Sequence, residues 1–443
     1  MSRRKRKPLP TAPVRITIDN LNHEGRGVGR VDGKTVFVTG ALPGEEVEFT
    51  YSAIHRNFDE GVVLNIITAS PERIAPRCPH FNVCGGCAMQ HLAPETQIAY
   101  KQKVLLDDFK HIGKVQPKEV LPPLLGPYWG YRRKARLGVK YVPRKEKVLV
   151  GFRERSSPFL AELIRCEVLH PSVGERIEAL GAMIASLSVY DKIVQIEVAV
   201  DDTQTALALR NMAELSDEDR AQVKAFAIEH GVHIYLQPGG PDSLIPLWPE
   251  HIQLRYVLGN YDVSFGFKPG DFTQVNTDIN RQMIDRAIEL LDLQPEDRVL
   301  DLFCGLGNFT LPLARRCAEV VGVEGEAKLV ERARANAAEN ALTNVQLHAA
   351  DLAGDLEHSP WWKQGFDKVL IDPPRSGAQE TLAHIAKMKV GRIVYVSCNP
   401  STLARDAGIL VNEYGYRLVQ AGVMDMFPHT AHVESIALFV RGK

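Results

Sequence analysis

The sequence predicts an α/β protein: a doubly wound, mostly parallel sheet in the C-terminal part, a small N-terminal β-barrel and a central α+β region. Three observations carry this. From Arg298 onward, apolar runs at Arg298–Leu302, Val320–Val323, Val345–His348, Lys368–Ile371 and Arg392–Val396 alternate with stretches of helical spacing, the pattern of strands wrapped by helices. The first run passes into Phe303-Cys-Gly-Leu-Gly-Asn308 and the last stops abruptly at Ser397-Cys-Asn-Pro400. Both therefore end where open α/β sheets bind ligands. Between Val14 and Ala69, the strand-like segments Arg15–Ile18, Thr35–Val38, Glu45–Tyr51 and Gly61–Ile67 are broken by Gly25, Gly27, Gly29, Gly33, Gly40 and Gly44, which suits a small barrel.

The chain of 443 residues is long enough for several domains, and its hydrophobic and charged fractions, 45% and 24%, are those of a globular protein. No apolar run reaches the ~18 residues of a membrane span, and the N-terminus lacks the apolar core of a signal peptide. The expectation is a cytoplasmic protein without a membrane partner, and a monomer. A net charge of −1 leaves any nucleic-acid partner to be met by local basic patches.

Residues 1–13 read as a disordered basic arm, with Arg3–Lys7 able to touch phosphates. Residues 14–70 form the barrel, of a type that commonly holds RNA. The central region, 71–262, opens with Cys78-x5-Cys84-Gly-Gly-Cys87, three thiols crowded together as for a metal. Cys166 is the fourth cysteine before the C-terminal half, and four thiolates suit either tetrahedral zinc or an iron–sulfur cluster. Pro94–Lys110 has helical spacing, and the helix at 94–112 is expected to pack on the catalytic domain. Two further strand-like segments, Tyr131–Tyr141 and Lys147–Phe152, carry or precede Arg132, Arg133, Lys134, Arg136, Lys140, Arg153 and Arg155, a density of cations that favours contact with a phosphate backbone. From Ile177 to Pro246 there is alternation and helical spacing but no evident chemistry.

Residues 263–443 carry the chemistry. After a helix at Asn276–Leu293, Gly305 and Gly307 let a ligand approach the backbone, and Glu324 ends the next strand where an acid can hold ribose hydroxyls. The third glycine of a dinucleotide fingerprint is missing, so the ligand is a nucleoside without pyrophosphate. Asp351 follows the third strand, and Asp372-Pro-Pro-Arg375 ends the fourth. One acidic residue at a strand end is an ordinary helix cap; three beside a glycine loop point to a site. Cys398 ends the fifth, as a small buried residue or as a nucleophile.

Several stretches resemble known families. Asn20–Arg30 resembles the opening of the TRAM domain, an RNA-binding barrel, and Pro76–His91 resembles the [4Fe-4S] site of bacterial RNA uracil-5 methyltransferases. Asp301–Asn308 is similar to the S-adenosyl-L-methionine loop of class I methyltransferases. Together with Asp372–Arg375, Ser397–Thr402 and Phe427–Ser435, it identifies the chain as resembling the RNA (uracil-5) methyltransferase family over nearly its whole length. The barrel and four cysteines together point to the branch acting on 23S ribosomal RNA, since the related tRNA enzyme lacks both. The resemblance implies an iron–sulfur cluster on Cys78, Cys84, Cys87 and Cys166, and a cofactor surrounded by Gln274, Phe303, Asn308, Glu324, Asp351 and Asp372. Family members often carry Asn where this chain has Asp351.

The implied chemistry explains the residue types. Carbon 5 of uracil is a poor nucleophile until a thiolate, here Cys398, adds to carbon 6. After methyl transfer a base must take the proton from carbon 5, and Glu434 is the carboxylate expected to do so, with His429 and His432 as structural partners. The uridine must be single-stranded or flipped out for both carbons to be reached. Two readings compete: a tRNA uracil-5 or an RNA cytosine-5 methyltransferase. A radical enzyme would need a Cys-x3-Cys-x2-Cys loop, which the spacing of Cys78, Cys84 and Cys87 does not give, and a non-catalytic RNA-binding factor would have no use for Cys398 with Glu434.

Overall fold

The computed structural model describes residues 9–354 and 356–442, so the basic run Arg3–Lys7 lies outside the described residues. The chain divides into two compact units. One runs as far as Lys101 and takes in Phe427–His432; the other comprises Gln102–Met426 and the chain from Val433 onward.

Among the described residues the first unit has six strands, Val14–Thr17, Asn20–Leu21, Gly27–Val31, Lys34–Thr39, Glu46–Ile54 and Phe58–Thr68, with Glu46–Ile54 between Val14–Thr17 and Phe58–Thr68. Every pairing is antiparallel except that of Lys34–Thr39 with Phe58–Thr68. Ile16, Ile18, Val36, Val38, Val47 and Phe49 fill its core. The strand Gly27–Val31 is one that the sequence presents as glycine punctuation. Its glycines serve close packing instead: a Cβ at Gly29 would stand 2.6 Å from the Thr17 carbonyl oxygen, closer than atoms allow.

Phe427–His432 is held in this unit by its backbone. The His429 N–H donates to Gln97 Oε1 at 2.9 Å, and the His429 carbonyl accepts from the N–H groups of Ala88 and Met89, each at 2.9 Å. Lys101, fully buried, donates to the Phe427 carbonyl at 2.9 Å. His429 holds a left-handed φ of 65°. These contacts suit the structural part expected of His429.

The second unit holds two large sheets. In the first, Lys147–Gly151, Lys134–Val142, Ile193–Val200, Thr205–Asn211, His233–Leu236 and Ile245–Trp248 lie in that spatial order. The region from Ile177 to Pro246, which offers no chemistry in sequence, thus supplies four of the six strands. The basic segment leading through Lys134–Val142 is only partly turned outward. Arg133 lies 3.8 Å from Asp202, Lys134 donates to the Asp271 carbonyl and Arg136, though exposed, lies 3.6 Å from Glu197, while Lys140 is exposed. The expected cationic patch is therefore smaller than the sequence suggests, because carboxylates and carbonyls of the same unit engage part of it.

The second sheet contains β1 (Arg298–Leu302), β2 (Glu319–Glu324), β3 (Val345–Ala349), β4 (Lys368–Ile371), β5 (Arg392–Ser397), β6 (Tyr416–Met424) and β7 (Glu434–Arg441), in the order β3-β2-β1-β4-β5-β7-β6, with Glu119–Val120 beyond β6. The strands from β3 to β5 in that order are parallel, and β7 is antiparallel to both β5 and β6. Thr277–Leu291, capped by the Asn276 side chain and burying Ile279, Met283, Ile284, Ala287 and Leu291, precedes β1. The turn Phe109–Gly113, which continues the helix Pro94–Asp108, packs on Pro400–Asn412, and Ser401 donates to Asp108 at 2.7 Å.

Candidate active site

The parallel strands all end on the same side of the sheet, and the site is built from the residues just beyond those ends. Leu302, Val323, Ile371 and Tyr395 lie in one row of the register, so Phe303 and Asp372, which follow their strands, and Glu324, which closes β2, lie at a common edge. β7 runs the other way, and its first residues return to that edge. Ser435 pairs with Ser397, so Glu434 opens β7 beside the point where β5 gives way to Cys398. Glu434 is thus the first residue of its strand.

The glycine loop turns sharply at Phe303, a non-glycine residue with φ 64°, whose N–H and that of Cys304 both donate to the Val323 carbonyl, at 2.9 and 3.1 Å. Gly307 has φ 97°, and an added Cβ there would collide with Leu311 at 2.5 Å, whereas at Gly305 it would meet nothing within 4 Å. The loop is closely packed beneath Gly307 and open above Gly305, as a backbone cradle for a ligand requires. Glu324 braces it, accepting from the N–H groups of Gly305 and Glu326, each at 3.0 Å. Asn308 is held through its side-chain amide by Tyr256 and Asn280.

Three carboxylates collect here. Asp301 is fully buried in β1; burial first, and then the charges of Asp372 and Glu324, push its carboxyl up to about 8, against the hydrogen bond that Thr310 donates at 2.5 Å. Asp372 is pushed up to about 7, by burial and then by Glu324. Asp301 and Asp372 resist ionising because negative charge here is buried and crowded, and a cation relieves that. A ligand carrying a sulfonium and an ammonium matches that demand. Asp301 is not among the site residues expected from the sequence, although a carboxylate inside a buried strand is itself a signal.

The thiol of Cys398, half-buried, is pushed up to about 11 by burial, then by the charges of Glu434 and Asp372, with Arg375 acting the other way. It is thus a protonated thiol at neutral pH. Asn399 caps the helix Pro400–Asn412 through the Ser401 N–H, fixing the chain just after Cys398.

The remaining expected residues are less closely joined. Gln274 is half-buried in the loop before the Asn276 cap. Asp351 is exposed two residues past β3, where its carboxylate accepts from the Ala353 N–H at 3.0 Å. Cys78, Cys84, Cys87 and Cys166 are half-buried and form no disulfide. The Gly86 N–H points at Cys84 Sγ, 3.4 Å away. Among the described residues, no group of three or more His, Cys, Asp or Glu side chains forms a metal site, and no helix is long and apolar enough to cross a membrane.

The sheet order, the glycine loop and the carboxylates define the class: a fold of S-adenosylmethionine-dependent methyltransferases, here joined to a barrel. Residues 162–442 match the tRNA (uracil-5-)-methyltransferase family model and residues 12–64 match the TRAM domain. The chain belongs to this uracil-5 methyltransferase family. It is 56% identical to the 23S rRNA (uracil(1939)-C(5))-methyltransferase RlmD of Alkalilimnicola ehrlichii, with 99% of both chains covered. It is 54% identical to the protein of that name from Methylococcus capsulatus, again over 99% of each. Among solved structures it resembles the Pyrococcus abyssi tRNA (uracil-54, C5)-methyltransferase in complex with S-adenosyl-L-homocysteine, with 26% identity, a TM-score of 0.75, and 96% of this chain and 99% of that chain covered. A match of that extent leaves no room to omit the barrel, so a barrel does not by itself separate the ribosomal branch from tRNA enzymes.

Proposed function

We propose that this chain methylates carbon 5 of a uridine in 23S ribosomal RNA, the one equivalent to uracil 1939 in its relatives' names, with Cys398 as nucleophile and Glu434 as base. The observation that carries this reading is the Ser397–Ser435 register, which brings the ends of β5 and β7 together at the carboxyl edge of the sheet. The electrostatic effect of Glu434 on the Cys398 thiol agrees with it.

In this reading Gln274, Phe303, Asn308, Glu324, Asp351 and Asp372 hold S-adenosylmethionine, which supplies an electrophilic methyl group. Cys398 Sγ bonds to uracil carbon 6 and gives up its proton to Asp372, the other carboxylate whose charge bears on the thiol, which leaves Glu434 unprotonated. The electrons of the 5,6 double bond pass to the carbon-4 oxygen. Carbon 5, now nucleophilic, takes the methyl as the sulfur–methyl bond breaks, and the sulfonium leaves as the neutral thioether S-adenosylhomocysteine. Glu434 then removes the proton from carbon 5, the double bond re-forms, and Cys398 leaves as thiolate. A thiol that holds its proton until substrate arrives is protected from oxidation and off-target alkylation between turnovers. The target uridine reaches the thiol only when single-stranded or flipped out.

Residues 14–70 serve as the RNA-binding barrel, 71–262 as the iron–sulfur and RNA-binding region, and 263–443 as the catalytic domain of an enzyme acting as a monomer. Cys78, Cys84, Cys87 and Cys166 hold a [4Fe-4S] cluster. The N–H directed at Cys84 sulfur fits a thiolate whose charge needs dispersing, and methyl transfer is not a redox reaction, so the cluster is structural or positions the RNA. Replacing Cys398 by Ala tests the mechanism: loss of 5-methyluridine in 23S RNA, and of the covalent complex with 5-fluorouridine RNA, is expected. Full activity of that variant overturns it.

A further inference from the structure

We infer that Tyr256 and Asn280, which lie outside the cofactor residues proposed above, are positioning residues that fix the orientation of the Asn308 amide, so that it offers the cofactor a single N–H and nothing else. The inference rests on the reading of Asn308 as a cofactor residue. Asn308 Oδ1 accepts from the Tyr256 hydroxyl at 2.9 Å and from Asn280 Nδ2 at 3.1 Å, which uses both lone pairs. Asn308 Nδ2 donates one hydrogen to Asn280 Oδ1 at 2.9 Å. One N–H is left. The atom it meets on the cofactor must therefore be an acceptor, a carboxylate or hydroxyl oxygen or a ring nitrogen, and not the ammonium or another N–H.

The partners are themselves rigid. Asn280 is 4% exposed in the helix Thr277–Leu291. Tyr256, 8% exposed, lies on the strand Leu254–Leu258 with its ring stacked on Phe265 at 4.7 Å between centroids. Among the described residues that strand pairs only with Val263–Phe267, and this hairpin is tied to the glycine loop a second time through Asn336, which accepts from the Gly266 N–H at 2.9 Å and donates to the Leu306 carbonyl at 3.3 Å. A hairpin outside the main sheet thus braces the loop from both sides of Gly307. A side-chain amide held by three hydrogen bonds has already lost its rotational freedom, which lowers the cost of binding.

The test measures S-adenosylmethionine affinity by calorimetry, and turnover on RNA, for Tyr256→Phe, Asn308→Ala and the double variant. Tyr256→Phe is expected to weaken affinity about tenfold while kcat at saturating cofactor and RNA affinity hold. The double variant is expected to bind no more weakly than Asn308→Ala alone, because Tyr256 acts through Asn308. Unchanged affinity in Tyr256→Phe, or additive losses in the double variant, overturns the inference. Unchanged affinity in Asn308→Ala overturns instead the underlying assignment of Asn308 to the cofactor.

Discussion

Ser397 and Ser435 face one another across the antiparallel pair β5 and β7, and the Ser435 hydroxyl donates to the Ser397 carbonyl at 3.3 Å. Each serine adjoins a proposed catalytic residue, Cys398 on one side and Glu434 on the other. A strand that reverses direction next to a parallel strand brings its first residue to its neighbour's last, so two groups 36 positions apart in sequence meet without a long loop.

The first prediction concerns the Cys398 thiol. With its proton held up to about 11, alkylation of Cys398 by iodoacetamide, followed by mass spectrometry, should be slow at pH 7 and climb towards pH 11. Glu434 raises this value, so Glu434→Gln should move the profile to lower pH, and Arg375→Ala to higher pH. A Glu434→Gln profile unmoved from the original would separate the two residues.

The same Glu434→Gln variant should stall after methyl transfer. Covalent enzyme–RNA complex is expected to accumulate in a single turnover with ordinary uridine RNA, seen as a band surviving denaturing electrophoresis. Normal product formation without such a band would remove Glu434 from the base role.

Cofactor binding should depend on pH with a definite sign. Asp372 is protonated below about 7, which makes the site less negative, so affinity for the sulfonium cofactor should rise with pH through that value, by up to about tenfold per pH unit below it. S-adenosylhomocysteine lacks the sulfonium charge, and its affinity should rise less. Parallel profiles for the two ligands would count against the carboxylate cluster as the cause.

Asp301 affects stability in the opposite sense from most aspartates. Its folded carboxyl, raised to about 8, binds a proton that the unfolded chain, with a value of about 3.9, releases. Its favourable contribution is complete below the unfolded value and is lost as pH rises through about 8. Denaturant midpoints of Asp301→Asn should therefore vary less between pH 5 and 8 than those of the original chain.

Substituting the cations should separate two groups. Lys140 is exposed, and Lys140→Glu should weaken RNA binding and flatten its salt dependence. Arg133 donates to the Asp201 carbonyl and neighbours Asp202, so Arg133→Glu should lower the melting temperature. Equal loss of RNA affinity from both, with stability unchanged, would restore the wider basic patch.

Much of the fold is legible in order along the chain. The βα alternation after Arg298 gives the five parallel strands β1 to β5, because buried strands read as short apolar runs whatever surrounds them. The barrel strand Gly27–Val31 is not legible, since glycine chosen for close packing looks the same in sequence as glycine chosen for a turn. The basic segment Arg132–Lys140 misleads for a related reason: a cation's sequence neighbours do not reveal which distant carbonyl or carboxylate will claim it.

By itself, the sequence determined the residue types and their order: the glycine loop, the acids at the strand ends, the cysteine after the fifth strand and the glutamate before the last. These are local signals, set by what a strand end or a tight turn tolerates. Only the tertiary structure decided which of them act on one another. The charges of Asp372 and Glu324 act on Asp301, Glu434 acts on the Cys398 thiol, and Tyr256 reaches Asn308 from 52 residues away. Such couplings depend on distance through a low-dielectric interior, and sheet order and register, not sequence separation, set that distance.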